Sequence, residues 1–463
     1  MQPDNLNNNH PKSISCFFEK WGGGVLIILI SILAYGVFIP WLSRYMDDWE
    51  HTFSFYHYGA DGMIYYFKQS RPLLGSLYRL NITLLQNNAL LFHLFALLWR
   101  TLGSLAFYAL VYFLWPNRKN LALFAGLLFT VYPGYLLQPI SFTMAHNWIV
   151  YTIFLVSNCF TVLAFRLPGK KWLFRILAIL FSLANILLME YFLPLEVIRL
   201  LILFILISGT QKFIPRLSKA FSLWIPYLAC LIGVSIFRVF FYTDQTHIYP
   251  MGLIETFKQS FGAGLAQLSD QFISALYQSV ILAWIQPFQS IIQQIGSSRT
   301  FLGVMLLVVF LIITLTFILL KNRKSENSKI DWSPLLISLI SLSFAGIPFY
   351  LTLLPVEAVG LNSRFTMPFM VGTCLLFAFL LDLIPVHIFK CILASTLIAF
   401  AVGFQLLNEN SFRLMADKYK NIMYQIAWRA PDLNPGTLII TNELDDSHYY
   451  NFSNLRNMFN LSY

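Results

Sequence analysis

Charge is what this sequence has least of. Lys, Arg, Asp and Glu together make up 11% of its 463 residues, whereas soluble globular domains carry about 25%. Hydrophobic residues make up 57%, and phenylalanine alone occurs 44 times. This composition is typical of a polytopic membrane protein. We therefore predict an all-α fold, because helices satisfy their own backbone hydrogen bonds within lipid.

Short catalytic and metal-binding motifs are also missing. The five cysteines show no CxxC spacing, so the sequence supports neither a disulfide framework nor a zinc site. There is no Walker motif, GxGxxG, GxSxG or HExxH. These are the signatures of phosphate loops, dinucleotide sites, serine hydrolases and zinc proteases. A function must therefore be sought in dispersed polar residues.

Basic residues outnumber acidic ones, and the formal net charge is +10. They fall in short clusters between apolar runs, at 12–20, 118–119, 166–171, 212–219, 321–329 and 390. This alternation is the positive-inside pattern of membrane proteins, and it offers no contiguous basic groove for nucleic acid. It predicts an integral protein of the plasma or inner membrane, with a cytoplasmic N-terminus and an extracytoplasmic C-terminus.

Apolar runs organise the chain, since a membrane span needs about 20 apolar residues. About eleven runs are visible, roughly at 23–42, 89–115, 121–138, 142–165, 172–189, 191–208, 220–241, 301–320, 334–353, 366–386 and 388–407. They predict a cytoplasmic tail at 1–22, a transmembrane domain at 23–407 and a small extracytoplasmic segment at 408–463. The outer loops at 43–88 and 242–300 contain amphipathic stretches, so we expect interfacial helices there.

The stretch Asp47-Asp48-Trp49-Glu50-His51 follows directly on the first apolar run. Its plainest interpretation is a set of interfacial acids that end a span or cap the next helix. A carboxylate near a low-dielectric boundary also has a raised proton affinity, which suits Asp47 or Asp48 to general-base catalysis. Alternatively, Asp47, Asp48 and His51 could hold a divalent metal such as Mg²⁺ or Mn²⁺. The residues alone leave these roles open.

Other ionisable residues add candidates for a binding site. Arg71 shares the first outer loop with the acids, and Arg364 lies at the outer start of a late apolar run. An arginine fork matches the oxygens of a phosphate, although both residues could equally anchor the interface. Glu190 lies at the outer junction of two runs, and Arg100 lies near the middle of another. Charges within membrane segments are functional candidates because they are costly there.

The arrangement resembles the GT-C integral-membrane glycosyltransferases, which include protein O-mannosyltransferases and aminoarabinose transferases. The resemblance rests on the pair Asp47-Asp48 after the first span, on Arg71-Pro72, and on Asn362–Pro368 at the start of a late span. It also covers the predicted topology of the whole chain. The pair is Asp-Asp here, whereas the mannosyltransferases have Asp-Glu, so the acceptor stays open.

The resemblance implies a GT-C fold and a sugar donor linked to a polyprenyl phosphate. Asp47 or Asp48 would act as a base or a metal ligand, and Arg71 and Arg364 would hold the lipid phosphate. The sugar carbon would be attacked opposite the phosphate, so its configuration would invert. The acceptor could be a protein, a lipid or a glycan on the extracytoplasmic face.

Two other classes of function fit a polytopic membrane protein. A secondary transporter or flippase predicts charges buried in mid-span and an internal repeat. Here the distinctive charges gather at the predicted outer face, and no repeat is visible. A non-catalytic protein of cell-envelope polysaccharide assembly could share the same fold. The sequence favours the glycosyltransferase, with membrane lipid around it and no nucleic acid partner.

Overall fold

The structure is a computed structural model that describes residues 12–68, 71–207, 212–241, 251–294, 308, 312, 330–434, 436–439 and 452–461. Regular structure in this part of the chain is helical throughout, without a strand, which confirms the predicted all-α class. The helices, numbered in chain order, are α1 (Lys12–Tyr35), α2 (Asp47–Tyr58), α3 (Asp61–Phe67), α4 (Pro72–Leu85), α5 (Ala89–Leu114), α6 (Lys119–Thr130), α7 (Ser141–Arg166), α8 (Lys171–Leu188), α9 (Glu196–Leu206), α10 (Phe213–Phe241), α11 (Gly252–Gln259), α12 (Phe261–Leu276), α13 (Ala283–Gln294), α14 (Ser333–Ala345), α15 (Ile347–Thr352), α16 (Met370–Leu383), α17 (His387–Arg429) and α18 (Phe452–Asn460).

Among the described residues, eight helical stretches are long and apolar enough to cross a membrane. They are Trp21–Trp41, Ala89–Leu114, Ser141–Arg166, Pro168–Leu188, Phe213–Phe237, Ser333–Thr352, Gly360–Leu383 and His387–Arg429. They coincide with eight of the predicted runs and support a polytopic membrane protein. The predicted run 301–320 lies outside the described residues, apart from two positions.

The two remaining predicted runs contain helices of 12 and 11 residues, which are shorter than the eight candidate spans. The run 121–138 is helical only as far as Thr130, because Pro133 and Gly134 follow within one turn. The run 191–208 contains Pro194 inside a short 3₁₀ turn, and α9 begins only at Glu196. Proline removes a backbone donor and clashes with the preceding turn, so neither run continues as one helix.

Helices α2, α3 and α4 lie in the predicted outer loop at 43–88. Together with the starts of α5 and α7, they form a small hydrophobic core that is separate from the main core. Its buried members are Met63, Leu74, Tyr78, Ile82, Phe92 and Phe142. This core fixes the outer helices against the first turn of α7. In the second outer loop, α11, α12 and α13 form a comparable run of helices.

Helix α17 is 43 residues long, which corresponds to about 65 Å. It passes without a break through the predicted boundary between residues 407 and 408. Beyond that point it contacts the first outer loop, where the Tyr45 hydroxyl donates a hydrogen bond to the Phe412 carbonyl at 2.9 Å. The start of the C-terminal segment is therefore a continuation of a membrane-embedded helix.

The segment 131–140, between α6 and α7, is irregular in conformation yet buried at every residue. Buried backbone polar groups outside a helix must find other partners, because an unpaired buried group costs free energy. Here side chains supply the donors. Gln405 on α17 donates to the carbonyls of Tyr132 (3.1 Å) and Tyr135 (3.4 Å), and Asn408 donates to that of Leu136 at 2.9 Å.

The 3₁₀-helix Gly360–Phe369 also docks on this segment. Its Thr366 hydroxyl donates to the Gly134 carbonyl at 2.9 Å. The backbone N–H of Leu136 donates to the Ser363 hydroxyl at 3.3 Å. The irregular segment thus holds the 360–369 helix on one side and leads directly into α7 on the other.

Replacing Gln405 with Met should destabilise the protein, because two buried carbonyls lose their shared donor. An unsatisfied buried polar group costs about 1–3 kcal/mol. Denaturant unfolding of the purified chain in lipid or detergent measures this loss. Gln425→Met, on the exposed stretch of α17, is the matched control and should have little effect. Equal stability of the two variants would show that the segment does not depend on Gln405.

Candidate functional site

Asp48 lies in the first turn of α2 and is 1% exposed. Its Oδ1 accepts hydrogen bonds from the backbone N–H of Thr143 (2.8 Å) and from the Thr143 hydroxyl (2.7 Å). Thr143 is the third residue of α7, so its N–H has no partner within that helix. The N-cap residue of α7, Ile140, makes no side-chain cap bond. Asp48 therefore caps α7 from a different helix, at the positive end of the helix dipole.

Burial also controls the ionisation of Asp48. Loss of water raises the pKa of its carboxyl from 3.8 to about 7, and the hydrogen bonds from Thr143 act in the opposite direction. The adjacent charge of Asp47 raises this pKa further. Asp48 is thus a carboxylate with fixed partners in a nearly water-free position.

Asp47 lies on another face of α2 and is only half-buried. It shares a face of α2 with His51, one turn later, whose ring packs against Tyr66 on α3 and Tyr78 on α4. The residue before it, Met46, is buried and has φ 50° and ψ −126°. This conformation is costly for a residue other than glycine, and such strain often accompanies functional sites. Asp47 therefore follows a backbone position that the surrounding structure holds under strain.

His51 is 3% exposed and is surrounded by aromatic rings. Its ring centroid lies 5.1 Å from that of Tyr78 and 5.3 Å from that of Tyr66. Burial lowers the pKa of His51 to about 4, so the ring is neutral at physiological pH. His51 lies one turn after Asp47 on the same face of α2, but its surroundings are those of a packed core side chain.

The metal-binding alternative fits this geometry poorly. Within the described part of the chain, no three His, Cys, Asp or Glu side chains come together in a way that could hold a metal ion. Asp48 directs Oδ1 to Thr143, and the imidazole of His51 packs among rings. We therefore derive no step through a metal held by Asp47, Asp48 and His51.

Two residues that the sequence did not single out connect the acids to the rest of the site. The Tyr78 hydroxyl lies 2.9 Å from His146 Nδ1 and donates to the Thr143 carbonyl. His146 Nδ1 also lies 2.6 Å from that carbonyl. His146 follows Thr143 by one turn inside an apolar run. An ionisable residue at such a position is a signal that would have identified it.

Arg71 and Glu190, predicted separately as binding residues, form an ion pair across 119 positions of sequence. Arg71 Nη2 contacts Glu190 Oε1, and Arg71 Nε donates to Glu190 Oε2 at 3.2 Å. The guanidinium also lies 6.0 Å from the Tyr191 ring centroid. Much of the Arg71 charge is therefore already balanced by a protein carboxylate. The pair fixes the start of α4 to the turn between α8 and α9.

Arg364 lies in the 360–369 helix and is half-buried. Its guanidinium is 4.9 Å from the Phe365 ring centroid. The Nε atom is buried and has no hydrogen-bond partner among the described residues. The charges of both Arg364 and Arg71 act on His146. The structure thus brings these two arginines to the region in which Thr143 binds Asp48.

The charges inside the spans serve mainly to join helices. Arg100 is fully buried, and its Nε donates to the Thr130 carbonyl at 3.1 Å. Arg199 and Glu196, which the sequence analysis missed, pair at 2.7 Å in the interior. Glu409 on α17 differs from these. Both of its carboxylate oxygens are buried without a hydrogen-bond partner in the described part of the chain.

A cavity of about 400 Å³ lies beside α2, where Trp49 faces α17 and α18. Trp41, Asp417 and Lys420 also line it, whereas Asp47 and Arg364 do not.

The chain matches no protein-family model, and no curated protein is similar to it. The function must therefore be argued from the chemistry of the site itself.

The raised pKa of Asp48 predicts a specific pH dependence. Ionisation of Asp48 costs folding free energy; this cost is absent below pH 3.8 and grows as the pH rises through about 7. Asp48→Asn cannot ionise and keeps an oxygen that can accept from Thr143. Its stability relative to the wild type should therefore increase from pH 5 to pH 8, measured by denaturant unfolding.

The variant and the wild type share all other titrating groups, such as His51. The contributions of those groups to the pH dependence therefore cancel in the stability difference. Asp61→Asn, at a carboxylate whose side chain is 73% exposed, is the matched control for the loss of an acidic residue. A stability difference between Asp48→Asn and the wild type that stays constant over this pH range would contradict the prediction.

Proposed function

We propose that this chain is an inverting glycosyltransferase that moves a sugar from a polyprenyl-phosphate donor to an acceptor on the extracytoplasmic face. One observation carries the proposal: the buried segment 131–140 binds Ser363 and Thr366, which flank Arg364, and leads into the turn of α7 that Asp48 caps. A GT-C fold with about eleven spans, a cytoplasmic N-terminus and an extracytoplasmic C-terminus belongs to the same proposal. Such an enzyme needs a base and a phosphate-binding cation on one side of the membrane.

The two aspartates take different roles in this proposal. Asp48 is the anchor, because its Oδ1 is occupied by both donors of Thr143. Asp47 is the base, because it is more exposed and shares a helix face with His51, which packs against Tyr66 and Tyr78. The cap formed by Asp48 holds the first turn of α2, and with it the carboxylate of Asp47, in a fixed position.

The reaction follows from this assignment. The Asp47 carboxylate accepts the proton of an acceptor hydroxyl as the hydroxyl oxygen bonds to the anomeric carbon of the sugar. The bond from that carbon to the phosphate oxygen breaks, and the polyprenyl phosphate leaves with the electron pair. The acceptor attacks from the side opposite the phosphate, so the configuration inverts. The acceptor is a protein, lipid or glycan that carries a hydroxyl.

Arg364 is the group that would bind the leaving phosphate. A guanidinium forms strong, directional hydrogen bonds with phosphate oxygens, and the Nε of Arg364 has no partner in the described part of the protein. Arg71 contributes less directly, since Glu190 already pairs with it. We assign the Arg71–Glu190 pair to positioning α4, whose Tyr78 contacts Thr143 and His146.

Proton- or cation-coupled transport is the second candidate, and Glu409 is the observation that favours it. Buried carboxylates without partners mark ion or proton pathways in many membrane proteins. The charge of Glu409 also acts on Arg100, another buried ionisable group. The two candidates depend on different residues, so one set of variants can distinguish them.

Asp47→Asn should lower sugar transfer by about 10²–10⁴-fold, the usual contribution of a general base. Stability and binding of polyprenyl phosphate should stay near wild-type levels. Arg364→Gln should instead weaken polyprenyl phosphate binding by about tenfold or more, because charged hydrogen bonds contribute about 1.5–3 kcal/mol. Transfer is measured by mass spectrometry with lipid-linked sugar donors, and binding with the purified chain in nanodiscs.

Arg79→Gln is the matched control, since Arg79 pairs with Asp61 at the surface of the loop that also carries Asp47. It should change neither measurement. Arg364→Lys should retain part of the binding, because it keeps the charge without the fork. If Asp47→Asn transfers sugar at the wild-type rate, Asp47 is not the base. If the wild type transfers no sugar but carries out proton-coupled uptake that Glu409→Gln abolishes, the catalytic proposal is wrong and transport is favoured.

A further inference from the structure

A second cavity lies at the opposite end of α7 from Thr143. It has a volume of about 280 Å³ and is formed by α7, α8, α9 and α10. Thr161 on its wall is 18 residues beyond Thr143 in the same helix, which corresponds to about 27 Å. The cavity is therefore separate from the proposed active site, near the other end of the membrane-embedded helices.

Arg175 is the cation in this cavity. It lies in the second turn of α8, half-buried, with its guanidinium 5.3 Å from the Trp172 ring centroid. Within the described part of the chain the guanidinium has no hydrogen-bond or ion-pair partner. Most of the surrounding wall is apolar, including Phe165, Ile179 and Leu203. An arginine in such a place can bind an anion without first losing a protein partner.

The surrounding sequence has only one sign of charge. No Asp or Glu occurs at 160–189 or 200–230. The same two stretches carry Arg166, Lys170, Lys171, Arg175, Lys212, Arg216 and Lys219. This end of the helices therefore attracts anions, and the positive-inside pattern makes it the cytoplasmic end.

The floor of the cavity is rigid and electrically neutral. Arg199 pairs with Glu196 at 2.7 Å and donates to the Thr161 hydroxyl at 2.6 Å. Its guanidinium also lies 4.2 Å from the ring centroid of Tyr227, and both Thr161 and Tyr227 line the cavity. Arg199 is thus committed to protein partners, which leaves Arg175 to bind an anion.

We propose that this cavity binds an anionic phospholipid of the cytoplasmic leaflet. Arg175 donates to the headgroup phosphate, and the apolar wall receives the upper part of an acyl chain. Basic pockets between transmembrane helices on the cytoplasmic side are suited to such headgroups. Trp172 and Ile176 at the mouth are 70% and 55% exposed, so the cavity opens beside apolar surface that lipid can cover. A soluble anion has no apolar chain that could cover that surface.

The test measures stabilisation of the purified full-length chain by added lipid. Phosphatidylglycerol is compared with phosphatidylcholine of the same acyl chains and with inorganic phosphate, using thermal unfolding and native mass spectrometry. Phosphatidylglycerol should bind more tightly than phosphatidylcholine. Arg175→Gln should weaken phosphatidylglycerol binding by about tenfold, the loss expected for one charged hydrogen bond.

Arg429→Gln, at the exposed end of α17, is the matched control and should leave binding unchanged. Ser222→Trp fills the mouth of the cavity without changing any charge and should also abolish the preference for phosphatidylglycerol. If Arg175→Gln fails to fold, the result for Ser222→Trp tests the lipid proposal by itself. Equal binding of the two lipids, unchanged binding by Arg175→Gln, a preference retained by Ser222→Trp, or equal stabilisation by inorganic phosphate would each overturn the proposal.

Discussion

The buried, non-helical segment 131–140 is the constraint on which the rest of this structure depends. Its backbone groups have no regular helix to satisfy them, and all ten of its residues are buried from water. The protein meets this requirement with side chains from distant parts of the sequence, including Gln405, Asn408 and Thr366. Each of these bonds also fixes the position of the helix that donates it.

This arrangement explains why two outer regions of the sequence meet. The segment ends at the first turn of α7, where Asp48 caps Thr143 and so fixes α2. Its middle binds Ser363 and Thr366, which fix the helix that carries Arg364. Asp47, the proposed base, and Arg364, proposed to bind phosphate, are thus both positioned by contacts to this segment or to the helix that follows it, although more than 300 residues separate them. Preorganisation of this kind is what group transfer requires of an enzyme.

The adjacent aspartates show how one local motif can combine stability with chemistry. Successive helical residues point about 100° apart, so Asp47 and Asp48 cannot face the same partner. Asp48 is directed to α7 and loses its water, while Asp47 is more exposed and shares the helix face on which His51 meets Tyr66 and Tyr78. The capping interpretation and the general-base interpretation of the sequence therefore suit different residues. The structural partners of the two aspartates allow a separate role to be proposed for each.

Hydropathy was sufficient to predict the all-α class and eight of the spans, because apolar length alone determines whether a helix can cross a membrane. It was insufficient at 121–138, where Pro133 and Gly134 end the helix inside an apolar run. The pairing of Arg71 with Glu190 was out of reach, since a contact across 119 residues leaves no local pattern. Tyr78 and His146 were missed because both side chains contact the same backbone carbonyl, that of Thr143. A contact with a backbone atom leaves no pattern in the sequence.

The most direct test is an experimental structure of the chain with bound polyprenyl phosphate, determined by cryo-electron microscopy in a lipid nanodisc. A phosphate oxygen should lie within about 2.7–3.2 Å of the guanidinium of Arg364, with the Asp47 carboxylate on the same side of the membrane. The proposed catalytic centre would be contradicted by a phosphate bound elsewhere in the protein with no contact to Arg364.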